Sequence, residues 1–197
     1  MNGRVWLNYF IWTCNYLEDQ SDCKGNAWSE FMGRVLDIVG QKMNCVVVRS
    51  RQKSTQKAPS DVIDKYLDID AFYFDRSDYD LPIGIGDNED PFVLPKAVVE
   101  MENSFGKNKI AYCAWKILCV RSPVRALICY QKGMDKVTAL AKHLEDIIWQ
   151  KGLLNGDKGD LLVIIGNDKK GESEWQDYFS VFEWRSDRLE MVKGLEW

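Results

Sequence analysis

The stretch from Pro95 to Tyr130 constrains the fold of this chain more than any other. It reads PKAVVEMEN, NKIAYCAWKILCV and SPVRALICY, a strand, a helix and a strand in close succession. A helix between two adjacent apolar strands calls for a right-handed crossover joining parallel strands. The first strand also carries Glu100 and Glu102, two residues apart. Alternate strand residues share a face, so both carboxylates point the same way from an apolar segment. Charges there are expensive unless they are solvated or bind something. Two readings follow: a solvated sheet face, or a cation site.

The surrounding sequence extends this unit. Residues 26–43 place Trp28, Phe31, Val35, Ile38 and Val39 at helical spacing. CVVVRSR at 45–51 is a β-branched strand, and KYLDIDAFYFD at 65–75 alternates as another. In the latter, Leu67, Ile69, Ala71 and Tyr73 share one face and Asp68, Asp70, Phe72 and Phe74 the other. Residues 52–60 and 76–95 read as loops, the second rich in Gly, Pro and acids. After the helix near 107–121 and the strand 124–130, an apolar stripe marks a helix near 134–150. It is formed by Val137, Leu140, Ala141, Leu144, Ile147 and Ile148. GDLLVIIG (159–166) and DYFSVFEW (177–184) read as the last two strands. The expected architecture is an α/β sandwich around a mixed central sheet flanked by helices. It forms a single domain over 1–197, with a core at about 26–130 and 131–197 as its C-terminal extension of helix and strands.

Composition excludes several function classes. A formal charge of −4 argues against indiscriminate coating of nucleic acid, although a local basic groove is compatible with it. Six cysteines without a CxxC pair, and one histidine, His143, argue against a zinc site of mixed ligands. Cysteines within predicted elements read as buried free thiols, hence a reducing, cytoplasmic setting. The aromatic N-terminal VWLNYFIWTCNYL is interrupted by Asn8, Thr13 and Asn15 and is too short to span a bilayer. It reads as an amphipathic helix or strand packed on the domain, and no membrane association is expected.

Asp70 lies on a strand expected to neighbour the one bearing Glu100 and Glu102. Three converging carboxylates raise one another's pKa unless a cation is present, and hard ions such as Mg²⁺ match such oxygen ligands. In the following helix Lys109, Tyr112 and Lys116 fall on one face, while Ile110, Ala114, Ile117 and Leu118 face the core. Lys116 can return a positive charge to the acidic strand and stabilise a phosphate transition state or help activate water. The alternative is a surface lysine with a buried stem. Lys107, Lys109, Arg121 and Arg125 are candidates for a phosphate-facing rim, against a default of solvated surface. GDNED at 86–90 lacks the register of a calcium loop. His143, Cys113 and Cys129 read as structural.

Taken in order, the Asp in IDAFYFD, then AVVEMEN, then the WKIL helix, then VRALICY resemble the PD-(D/E)xK nuclease superfamily. That superfamily has the restriction-endonuclease-like fold, an αβββαβ core that the elements from about 26 to 130 match in order. The resemblance implies a divalent-metal-dependent hydrolase of DNA phosphodiester bonds, using Mg²⁺ or Mn²⁺ and water as nucleophile. By position, Asp70 is the Asp of the motif, with Asp68, Asp75, Asp78 and Asp80 as alternatives for it, Glu100 is the acid, and Glu102 stands where the family has lysine. Some members carry E-x-E, and others move the lysine to the next helix, where Lys116 sits. Asp70, Glu100 and Glu102 would then bind metal, with Lys116 as catalytic cation and Glu30 on the first core helix as an auxiliary ligand. Lys107, Lys109 and Arg121 would contact DNA. Homodimerisation is compatible with two cuts on a duplex. The alternative function is a catalytically inactive nuclease-fold protein serving as a nucleic-acid-binding or protein-interaction subunit.

Overall fold

A computed structural model of the chain describes residues 1–18, 26–49, 68–79, 94–154, 159–167 and 178–193. Two helices come first, α1 (Gly3–Glu18) and α2 (Asn26–Lys42), followed by strands β1 (Cys45–Arg49) and β2 (Ala71–Asp75). A single helical turn, α3 (Arg76–Tyr79), precedes β3 (Ala97–Glu102), helix α4 (Lys107–Leu118) and strand β4 (Val124–Gln131). Helix α5 (Met134–Gln150) and strands β5 (Asp160–Asn167), β6 (Phe179–Arg185) and β7 (Arg188–Met191) complete the order. The seven strands among the described residues form one sheet, arranged across it in chain order. β3, β4 and β5 are parallel neighbours, and every other pairing is antiparallel. The expected crossover between parallel strands is thus present, and so is the mixed sheet.

Burial follows from the layers. Every residue of β4 is buried, as expected of a parallel strand covered on both faces. One face packs on α1 and α2, through Trp6, Phe10, Leu36 and Val39 against Ala71, Tyr73, Val99 and Ile128. The other packs on α4 and α5, where Ile110, Ile117, Leu140 and Leu144 meet Phe72, Val98, Leu127 and Val163. The aromatic N-terminal segment is the helix α1, its buried residues Trp6, Leu7, Phe10, Ile11, Cys14 and Leu17 forming the inward stripe. Its start is tied to the sheet by the Gly3 N–H donating to Asp160 Oδ2 at 2.6 Å and by an Arg4–Glu183 ion pair at 3.3 Å. Among the described residues no helix is long and apolar enough to cross a membrane.

Three expectations need correction. The strand expected from residue 65 begins only at Ala71. Asp68 has φ 50°, a left-handed conformation that Asp tolerates better than most residues. That turn breaks the alternation, so Ile69 joins Phe72 in the α4–α5 layer instead of sharing a face with Ala71 and Tyr73. Secondly, β6 is not the last strand. It forms a hairpin with β7 through Ser186 and Asp187, both at positive φ (44° and 78°). β7 carries only Leu189 and Met191 as large apolar residues, and so leaves little strand signal in the sequence. Thirdly, residue 76 opens a helical turn and not a loop. The segments 52–60 and 80–93, with GDNED, lie outside the described residues.

Candidate functional site

The site forms where β2 begins and β3 ends, beneath α4. The antiparallel register pairs Ala71 with Val99, so one step beyond it Asp70 faces Glu100 as the ladder stops. Here carboxylates take over from backbone carbonyls. The Met101 N–H donates to Asp70 Oδ2 at 2.8 Å, and the Asp70 N–H donates to Glu100 Oε2 at 3.1 Å. Each acid therefore caps a backbone donor that the ending sheet would otherwise leave unmet.

Lys116 enters this pair from α4. Its ammonium is ion-paired with Glu100 Oε1 and donates to the Asp68 carbonyl at 3.0 Å. The left-handed turn at Asp68 is thus part of the site, because the carbonyl at that turn is the one that receives the amine. Glu100 is 3 % exposed and Lys116 7 %, which rules out both the solvated sheet face and the surface lysine. Burial pushes the Glu100 carboxyl up, and the nearby Asp70 charge adds to it, against the opposing pull of Lys116. Burial alone would lower the Lys116 amine, but its bond to Glu100 outweighs this and the net shift is upward. The pair therefore consists of a lysine held charged and a glutamate under electrostatic load.

Glu102 shares the face with Glu100 but turns elsewhere. Its Oε1 accepts the Ser104 N–H at 2.7 Å and pairs with Lys109 at 3.3 Å. Burial acts to raise its pKa, yet the Ser104 N–H and Lys109 prevail and hold it below the ordinary value. Between the two glutamates lies the Cys113 thiol, which donates to Glu102 Oε2 at 3.7 Å. Burial first, and Glu100 second, push this thiol up to about 12, so it stays a protonated donor and an unreactive sulfur. Its place was legible only in part: Cys113 precedes Lys116 by three residues and so shares its helical face.

The remaining predicted residues are dispersed around this centre. Glu30 is exposed on α2; its neighbour Ser29 accepts a hydrogen bond from Asn103 Nδ2 at 3.3 Å, which brings that end of α2 near the end of β3. Lys107 is exposed at the first position of α4, and Arg121 is exposed three residues beyond its last. Arg125 is not at a rim: it is fully buried, with Nε donating to the Val120 carbonyl at 3.0 Å.

Among the described residues no group of three or more Asp, Glu, His or Cys side chains is arranged to hold a metal ion. The juxtaposed Asp70 and Glu100 carboxylates offer oxygens of the type a hard cation takes. Mg²⁺ takes one or two carboxylates and completes its shell with water and substrate phosphate. Burial first, and the Asp70 charge second, hold the Glu100 carboxyl above its ordinary value. Comparison with protein-family models, with curated proteins and with solved structures returns no match.

Proposed function

We propose that this protein is a divalent-metal-dependent nuclease of the PD-(D/E)xK type, hydrolysing phosphodiester bonds in DNA. The observation that carries the reading is the meeting of Asp70, Glu100 and Lys116 from β2's entry, β3 and α4 at one buried point. The order α2, β1, β2, β3, α4, β4, with only the single turn α3 between β2 and β3, supports it, since this is the core order of that superfamily.

In this reading Asp70 and Glu100 hold Mg²⁺ or Mn²⁺. Such an ion would supply polarisation of the phosphodiester and a nucleophilic water at neutral pH. Lys116 contributes a fixed positive charge toward the negative charge that develops on phosphate. Its raised pKa suits a permanent cation and not a base that gains and loses a proton. Glu100 thus has two tasks, metal ligand and anchor of the lysine. Glu102, engaged with Ser104 and Lys109, orders the rim of the site and is a weaker candidate for a metal ligand than Asp70. A lysine arriving from α4 does the work that the family otherwise assigns to the position of Glu102.

The test is purified protein incubated with plasmid and single-stranded DNA in Mg²⁺ or Mn²⁺. Cleavage is expected, and Glu100→Ala should abolish it while the fold persists by circular dichroism. Absence of cleavage by the unaltered protein, together with no bound divalent ion by calorimetry, would refute the reading.

A further inference from the structure

The outer face of α4 has a composition that the carboxylate site does not use. The helix reads KNKIAYCAWKIL and carries no acidic residue, in a chain whose net charge is negative. Tyr112 and Trp115 stack on each other there, ring centroids 5.5 Å apart and planes 25° apart. They are 55 % and 39 % exposed, so much of their ring surface meets water instead of protein. Helical spacing puts Tyr112 beside both Lys109 and Lys116, three and four residues away. The same helix therefore delivers a buried ammonium to Glu100 and presents an exposed aromatic pair next to it. Lys107 and Lys109 lie exposed at its first turn.

We propose that this face is a stacking platform for unpaired bases, and that the substrate class of the adjoining site is single-stranded nucleic acid. The inference rests on the nuclease reading of that site. Aromatic side chains stack on any base whose π-face is open, while lysines follow the phosphates electrostatically. In an intact duplex each base face is covered by its neighbours, so two rings on a convex helix have nothing to stack on. A single strand lying along α4 places its bases on Tyr112 and Trp115 and its backbone along Lys107 and Lys109, toward Glu100 and Lys116.

Binding is measured without cleavage, by fluorescence anisotropy in EDTA with a labelled oligothymidylate of about 15 nucleotides, long enough to cover a site of this kind. A duplex of equal length is the competitor. Single strands should bind at least about tenfold more tightly than duplex, and Tyr112→Ala and Trp115→Ala should each weaken that binding about tenfold. Trp115→Phe should retain most of it. Both side chains are exposed, so the variants keep the core. Equal affinity for duplex, absence of binding, or binding indifferent to loss of both rings would overturn the platform. Failure of cleavage and of divalent-ion binding, alongside ring-dependent binding of single strands, would instead refute the nuclease reading and leave the platform standing.

Discussion

Lys116 and Glu100 meet in a setting where each determines the state of the other. Lys116 has a folded pKa above its unfolded 10.5, so its stabilisation is complete below that value and disappears as pH rises through the folded one. Glu100 is also raised, from 4.5, by burial and then by Asp70. Its contribution favours folding below 4.5 and is lost as pH rises through the folded value. Removing the lysine leaves the buried Glu100 carboxylate without its ion-pair partner. Lys116→Met should therefore lower stability near neutral pH by about 3–5 kcal/mol, measured by urea unfolding. The deficit should narrow as Glu100 takes up its proton. A deficit undiminished below 4.5 would mean that the pair is not what stabilises this corner. The pairing of Glu100 and Glu102 on one face was legible from their spacing. That Glu102 turns to Ser104 and Lys109 was not, because a strand's period gives the face and not the rotamer.

At the scale of elements, the β6–β7 hairpin is the piece that periodicity passed over. Its two-residue turn holds Ser186 and Asp187 at positive φ, the signature of a type I′ turn, where Asn-Gly is the preferred pair. The double substitution Ser186→Asn and Asp187→Gly should raise stability by roughly 0.5–1 kcal/mol, since it removes left-handed strain from two side chains. Thermal unfolding checks it; a lower melting temperature would show that the serine and aspartate are held by something other than the turn. Helix α5 was legible to the residue and α4 at its start, although α4 stops at Leu118, three residues before the expected end at 121; their stripes are long and regular. β2 was not, since the run through Asp68–Asp70 keeps the alternating pattern while the backbone turns at Asp68.

For the whole molecule, the sheet is covered on both faces, and α1 is what completes one of them. Phe10 is fully buried, stacked 5.4 Å from Trp6 and meeting Phe179 of β6 edge-on at 5.8 Å. Phe10→Ala should cost about 3–5 kcal/mol through the cavity left between helix and sheet. Chemical denaturation measures this, and a loss below about 1 kcal/mol would mean that α1 contributes little to the folded unit. The sequence by itself determined the class of the protein: alternating strand and helix signals, a parallel crossover, and two glutamates on one strand face. These depend on local period, which neighbouring residues carry among themselves. Only the tertiary structure decided that Asp70 faces Glu100, that Lys116 is buried against it, and that Tyr112 and Trp115 remain in water on the same helix. Those facts depend on strand register and on which turn of α4 crosses the sheet, quantities set by packing between segments distant in the chain.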